Sequence, residues 1–105
     1  MRDRTLTIGL AVFNGGPLLQ RAIDSLLAQT YTDFVLLISD NASMDGTQLI
    51  CEAAAARDRR IVYVRQPRNL GAMNNFQFVL RQARTPLFMW AAHDDWWDPT
   101  FVAKN

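Results

Sequence analysis

The sequence predicts an α/β fold built on a Rossmann-like parallel sheet with strand order 3-2-1-4 and helices on both faces. Four short apolar runs alternate with three segments whose apolar residues recur at helical spacing. The connections between them are short, which is typical of parallel strands joined by right-handed crossover helices. The chain has 105 residues, half of them apolar and a fifth charged, as in an ordinary globular domain.

The first strand and helix are predicted from residues 6–29. Residues 6–13 (LTIGLAVF) form a continuous apolar run, which favours a strand buried on both faces. Asn-Gly-Gly-Pro ends this run, and Pro17 suits the first position of a helix. The helix is expected to end near Gln29, and one apolar stripe marks its buried face: Leu19, Ala22, Ile23, Leu26 and Leu27.

The second strand and helix follow in the same way. Residues 34–39 (FVLLIS) are rich in β-forming side chains, and Asp40-Asn41 closes the run. Asp45 and Gln48 have the spacing of a capping-box variant, which predicts the start of the second helix. We expect this helix to pack through Leu49, Ile50, Ala53 and Ala54, and the single cysteine, Cys51, to be a packing residue.

The last two strands flank a third helix. Residues 61–64 (IVYV) predict a short strand, and residues 87–92 (LFMWAA) predict a fourth strand with Trp90 in the core. Pro86 blocks continuation of the helix before that strand. The helix is expected to begin near Gly71, with one apolar face: Ala72, Phe76, Val79, Leu80 and Ala83.

Charge and motif content exclude several function classes. The formal net charge is +1, so no global field would attract nucleic acid or an anionic membrane, and no nucleic-acid partner is expected. The glycines match neither the dinucleotide-binding nor the P-loop pattern. The N-terminal apolar run is interrupted and lacks a cleavage site, so a signal peptide is not expected, and no run reaches the ~18 apolar residues of a membrane span.

Polar residues follow every predicted strand, at the rim where parallel sheets bind ligands. They are Asn14-Gly15-Gly16, Asp40-Asn41, the RNLG segment at 68–71, and His93-Asp94-Asp95. Each stretch alone also fits ordinary loop composition, but their joint placement favours a site. Mg²⁺ commonly uses one or two protein carboxylates together with phosphate oxygens, and Asp94 and Asp95 are the candidate ligands.

Five segments together resemble the family 2 glycosyltransferases, whose nucleotide-binding domain has the GT-A fold. They are VFNGG, LLAQTY, SDNASMDGT, RNLGAMNN and HDDWWDP, and the resemblance spans residues 7–99. It implies that Phe13 and Asn14 frame the nucleotide base and that Asp40 contacts base or ribose. It also implies that Asn69, Gly71 and Asn75 lie beside the nucleotide. Asp45 matches a second family acid, although a helix-cap role explains it equally well.

The resemblance also implies a metal site, with one departure. The family commonly carries a D-x-D motif before the tryptophan, whereas this chain has Ala92 at the first acid. Asp94 matches the second acid, which is usually the direct ligand of a divalent metal, Mg²⁺ or Mn²⁺, with Asp95 beside it. His93 either contacts metal or phosphate or is an ordinary loop histidine. Trp96 and Trp97 either stack on a sugar or close a core.

The expected function is transfer of a sugar from a nucleoside diphosphate sugar to a hydroxyl of an acceptor glycan or lipid-linked sugar. Inversion and metal dependence are expected from the family. The general base is expected beyond Asn105, so residues 1–105 are expected to be a truncated, donor-binding part that is inactive alone and lacks the acceptor-binding part. The expected location is cytoplasmic, or at the inner face of the membrane in a full-length protein.

Two further expectations concern alternatives and assembly. A non-catalytic nucleotide-binding or sensing module would share the same rim residues. A phosphoryl-accepting receiver domain is also α/β at this size, but it would need acids after the first strand, where this chain has Asn14. In the 3-2-1-4 order the strand at residues 87–92 is an exposed edge, which predicts self-association through that strand.

Overall fold

The computed structural model describes residues 4–94 and shows one parallel sheet with helices on both faces. The strands are β1 (Leu6–Val12), β2 (Phe34–Asp40), β3 (Ile61–Arg65) and β4 (Leu87–Ala91), and their order is β3-β2-β1-β4. A 3₁₀ turn (Gly16–Leu18) leads into α1 (Leu19–Leu27), and α2 (Thr47–Arg57) and α3 (Ala72–Gln82) form the later crossovers. The predicted fold class and strand order are therefore confirmed.

Successive side chains of β1 point to opposite faces of the sheet. Leu6, Ile8, Leu10 and Val12 point into the main core, which also holds the buried residues of α1 and α2. The intervening residues face α3, and at Gly9 the absence of a side chain makes room for Val79. Helix α3 thus lies on β1 and β2 across the face opposite α1 and α2.

The buried face of α2 agrees with the prediction only in part: Ala54 is buried and Ile50 packs against the core, as predicted, but Leu49 does not. Its buried residues are Thr47, Cys51 and Ala54, whereas Leu49 is 74% exposed. These three positions share the i, i+4, i+7 spacing, so the small side chains let the helix lie close to the sheet and leave the leucine in solvent. Cys51 is a packing residue, as predicted, and burial raises the pKa of its thiol to about 12.

The edge strand also differs from expectation. Trp90 was expected in the core, but it is 43% exposed, because α3 lies over β1 and β2 and leaves this face of β4 partly uncovered. Its ring contacts Phe76 and Phe88 edge-on, with centroid separations of 5.1 and 4.7 Å.

The buried face of α3 also differs from the predicted one: Asn75 and Val79 are buried, whereas Phe76 and Leu80 are exposed. Within the described residues no helix is both long and apolar enough to cross a bilayer.

Candidate functional site

A cavity of about 480 Å³ lies at the carboxyl end of the sheet, between the ends of β1 and β2, the start of α3 and the turn after β4. Four of the predicted nucleotide-binding residues line it: Phe13, Asn69, Gly71 and Asn75. Asn41 and His93 line it as well. A second space of about 400 Å³ continues from it along Phe76 and Trp90. The structure therefore joins three of the predicted rim segments at one concave site.

The loops after β1 and β2 are hydrogen-bonded to each other, and Asn14 is central to this contact. The Asn14 backbone N–H donates to Ser43 Oγ (2.7 Å), and the Asn14 Oδ1 atom accepts from the Met44 N–H (2.9 Å). Asn14 adopts a left-handed backbone, with φ of 50°, which asparagine tolerates better than most residues. Its side-chain oxygen therefore braces the neighbouring loop, and Asn14 is not among the residues that line the cavity.

Asp45 belongs to the same loop contact, and its capping-box role is wrong. Its Oδ1 atom accepts from the backbone N–H and the hydroxyl of Thr47 (2.9 and 2.5 Å), and its Oδ2 atom accepts from the Gly16 N–H (3.1 Å). Helix α2 begins one residue later than a capping box needs, and the Gln48 amide donates to Glu52 instead. The Thr47 hydroxyl, more than any other group, holds the pKa of Asp45 below its ordinary value.

Asp40 is fully buried beneath the loop after β2. Its Oδ1 atom accepts from the Ser43 N–H (2.9 Å) and its Oδ2 atom accepts from the Tyr63 hydroxyl (2.6 Å). Burial, followed by this hydrogen bond, raises the pKa of Tyr63. Ala42, which lies between Asp40 and Ser43 in this turn, has a φ of 64°, a conformation that costs an L-residue about 1–2 kcal/mol. The structure thus gives Asp40 the role of fixing this turn, and its predicted contact with base or ribose stays a prediction.

Asn75 connects α3 to β2 beneath the cavity. It is 2% exposed, its Oδ1 atom accepts from the Ser39 hydroxyl (2.6 Å), and its Nδ2 group donates to the Ser39 carbonyl (3.0 Å). The Gln66 amide donates to the same hydroxyl (3.1 Å). Buried polar groups of this kind are costly when unpaired, so the network fixes the helix on the sheet. Asn75 lines the cavity while both polar atoms of its side chain bind protein.

Asn41 is the site residue that the sequence reasoning did not assign. Its side chain is 2% exposed, its Nδ2 group donates to Asn69 Oδ1 (2.9 Å), and its Oδ1 atom accepts from the Leu70 N–H (2.7 Å). Strand alternation contained the signal: Asp40 continues the face of Leu36 and Ile38, so the next residue turns toward α3. The cavity lies on that side of the sheet.

The predicted metal site is only partly within the described residues. Asp94 is exposed in the turn after β4, next to His93, and Asp95 lies outside the described residues together with Trp96 and Trp97. Across residues 4–94 no group of three histidine, cysteine or acidic side chains comes together as a metal site. Asp94 is accessible and follows His93, which lines the cavity, so its carboxylate nevertheless fits a cation whose remaining ligands come from a diphosphate and water.

The fold and the cavity define an α/β domain with a ligand site at the carboxyl edge of a parallel sheet. The sequence pattern described as glycosyl transferase family 2 matches residues 7–104, and the chain belongs to that family. The resemblance noted from its motifs is thereby confirmed.

Two bacterial glycosyltransferases are moderately similar to this chain in sequence. The chain is 29% identical over 97 residues to an uncharacterised glycosyltransferase of Rickettsia typhi, an alignment that covers 92% of this chain and 29% of the relative. It is 26% identical over 100 residues to glycosyltransferase GlyA of Streptococcus pneumoniae, with coverages of 95% and 14%. The chain therefore spans less than a third of the length of either relative.

Two solved structures share the fold. TarS residues 1–349 of S. aureus in complex with UDP-GlcNAc superposes with a TM-score of 0.85 at 18% identity, over 95% of this chain and 29% of that one. The mannosyltransferase PcManGT from Pyrobaculum calidifontis, in complex with GDP-Man and Mn²⁺, gives a TM-score of 0.81 at 21% identity, over 92% and 29%. At these identities the similarity establishes the common fold.

Proposed function

We propose that this chain binds the nucleoside diphosphate sugar donor of a glycosyltransferase. The observation that carries the proposal is the cavity at the carboxyl ends of β1 and β2, whose volume of about 480 Å³ suits a small ligand. The similar structures that contain UDP-GlcNAc and GDP-Man support the same ligand class. Phe13, which is 45% exposed at the cavity, offers an aromatic surface for a nucleobase.

The polar groups of the described cavity are suited to hydrogen bonding with a nucleoside. Exposed Asn69 supplies a neutral amide, and His93 stands at the β4 side, whereas the side-chain amides of Asn41 and Asn75 bind protein atoms. No carboxylate side chain lines this part of the cavity among residues 4–94, so the described lining does not repel a diphosphate. We assign the nucleoside to the side of Phe13 and Asn69, and the diphosphate to the side of His93 and Asp94.

Asp94 is the residue that would hold a divalent cation, with Asp95 as its proposed second ligand. A bound Mg²⁺ or Mn²⁺ would neutralise the charge that develops on the leaving diphosphate. The Mn²⁺ in the similar mannosyltransferase complex supports this assignment. The Asp94 side chain is exposed and so is accessible to such a complex.

The overall reaction of the whole protein is a further part of the proposal. It is transfer of the sugar to a hydroxyl of an acceptor glycan or lipid-linked sugar, with inversion, which requires a general base within hydrogen-bond reach of the acceptor.

We also propose that two copies of the chain associate through β4, since this edge strand carries exposed Leu87 (60%) and Trp90 (43%). A cytoplasmic location stays a prediction.

The donor site is tested by calorimetric titration of the chain with UDP, GDP and dTDP, each with and without Mn²⁺. We expect at least one nucleotide to bind and its affinity to depend on the metal. The Asp94→Ala variant should lose the metal-dependent part, whereas Asp24→Ala, which removes an exposed carboxylate on α1, should bind like the parent chain. Binding by none of the three nucleotides would overturn the proposal, and metal-dependent binding that survives Asp94→Ala would overturn the role of Asp94.

A further inference from the structure

Three backbone and side-chain hydrogen bonds fix the orientation of two amides at the cavity. The backbone N–H of Leu70 donates to Asn41 Oδ1 (2.7 Å), and the backbone N–H of Gly71 donates to Asn69 Oδ1 (2.8 Å). A backbone N–H can only donate, so the side-chain atom that faces each one must be the oxygen. Neither amide can therefore be turned over without losing its bond to the backbone.

The bond between the two side chains follows from this orientation. Asn41 Nδ2 donates to Asn69 Oδ1 (2.9 Å), so that oxygen accepts from both Asn41 and Gly71. The Nδ2 group of Asn69 has no hydrogen-bond partner among the described residues, although the side chain lines the cavity and is exposed. Asn69 consequently offers a ligand its N–H donors, because its oxygen is already occupied within the protein.

We propose that Asn41 is a positioning residue that holds the Asn69 amide in this orientation, so that Asn69 donates a hydrogen bond to an oxygen of the bound nucleoside. The inference rests on the proposed donor-binding function. It adds that Asn69 is the hydrogen-bond donor in one contact with the ligand and that Asn41 fixes this orientation. The ligand group is a carbonyl oxygen of the base, which can only accept a hydrogen bond. Asn41 itself, at 2% exposure, acts through Asn69.

The contact is tested by Asn69→Asp, which keeps the shape of the side chain. One carboxylate oxygen can still accept from Asn41 and Gly71, but the free amide donor becomes an oxygen that repels an acceptor. We expect the Kd of the best nucleotide to rise roughly tenfold or more, while the melting temperature changes little. The loss should be equal for ribonucleoside and 2′-deoxyribonucleoside diphosphates of the same base, and a loss confined to the ribonucleoside would overturn the base contact.

A matched control is available at Asn74. Its Nδ2 group donates to the Leu70 carbonyl (2.9 Å), so Asn74→Asp adds the same charge to the same end of α3 and removes a bond to the same loop. Asn74 does not line the described cavity. We expect nucleotide affinity of Asn74→Asp to match that of the parent chain, which would exclude a general effect of negative charge.

The positioning role is tested by Asn41→Asp across pH. At about pH 8 the ionised carboxylate cannot donate to Asn69 Oδ1, and we expect nucleotide affinity to fall roughly tenfold. Burial raises the pKa of a carboxyl group, so at about pH 5 part of the variant carries a proton that can restore the donor. We therefore expect the affinity of the variant, relative to the parent chain at each pH, to recover as pH falls. Urea unfolding of the variant at both pH values measures any structural defect, and affinity that only follows the free energy of unfolding would overturn the positioning role.

The outcomes separate the two levels of the proposal. Unchanged nucleotide affinity in Asn69→Asp, in a parent chain that binds nucleotide, would overturn the donor contact and leave the proposed function intact. A loss in Asn41→Asp that does not recover at low pH would overturn the positioning role. Absence of nucleotide binding by the parent chain would overturn the proposed function, and this inference with it.

Discussion

Gly9 lies where β1 packs against Val79 of α3, and its replacement by alanine tests how tightly that helix packs on the sheet. A Cβ atom at this position would lie 2.6 Å from Val79 Cγ1 and 2.7 Å from Phe88 Cζ. Favourable carbon–carbon separations are about 3.5–4.0 Å, so each neighbour would have to move by roughly 1 Å. Val79 is fully buried, which leaves it little room to do so.

The magnitude follows from two opposing terms. Overpacking of a core by one methyl group costs about 1–3 kcal/mol. Replacing glycine by alanine returns about 0.4–1 kcal/mol, because the unfolded chain has less conformational entropy to lose. We therefore expect Gly9→Ala to lower the free energy of unfolding by about 1–2 kcal/mol, and the melting temperature by roughly 4–16 °C for a domain of this size.

A double-mutant cycle with Val79→Ala provides the assay. Val79→Ala alone should cost about 1.6 kcal/mol for the two lost methyl groups. In the double variant the new Cβ occupies part of the space that Val79 leaves, so urea unfolding should show a favourable coupling of about 1 kcal/mol. Additive effects within about 0.5 kcal/mol would refute the steric reasoning. Displacement of α3 should also weaken nucleotide binding, because α3 carries Asn75 at the cavity.

Two further predictions concern pH and assembly. Because the fold lowers the pKa of Asp45, this carboxylate stabilises the fold above its unfolded pKa of about 3.9, and the contribution disappears as pH falls through the lower folded pKa. The stability difference between the parent chain and Asp45→Asn, measured by urea unfolding, should therefore be largest near neutral pH and shrink below about pH 4. An equal difference at neutral and at acidic pH would contradict this role of Asp45. Leu87→Lys should shift sedimentation toward monomer, whereas Leu49→Lys, at an exposed leucine on α2, should not. A parent chain that is monomeric at high concentration would exclude the β4 interface.

Strand positions and strand order followed from the sequence because buried parallel strands require continuous apolar runs and short crossovers. The run at residues 34–39 indicated β2, which extends by one residue to Asp40. Side-chain burial on the helices was less predictable. Ile50 and Ala54 of α2 pack on the core as predicted, whereas Leu49 is exposed and Thr47 and Cys51 are buried with Ala54. The apolar residues of this helix do not form one stripe, so periodicity alone did not determine its buried face.

The candidate site was predictable in its location but less so in its individual residues. The carboxyl ends of parallel strands must lie together, so Phe13 and Asn69 were expected at one rim, and both line the cavity. The family resemblance implied a ligand contact for Asp40, whereas it is its neighbour Asn41 that lines the cavity. The partners of Asp40 are Ser43 and Tyr63, and the Tyr63 bond joins side chains 23 residues apart on β2 and β3, which sequence spacing does not reveal.

The hydrogen bonds between the loops after β1 and β2 have a consequence for the thermodynamics of recognition. Asn14 is hydrogen-bonded to Ser43 and Met44, and Asp45 to Gly16, so the two loops that flank the cavity hold each other through bonds within the protein. The entropy of ordering them is therefore lost during folding. A ligand that meets an ordered surface retains more of its contact energy as affinity. The strain at Ala42 is likewise borne by the fold. We therefore expect differences in affinity among nucleotides to reflect their direct contacts with the cavity. The cost of rearranging these two loops should contribute little to such differences.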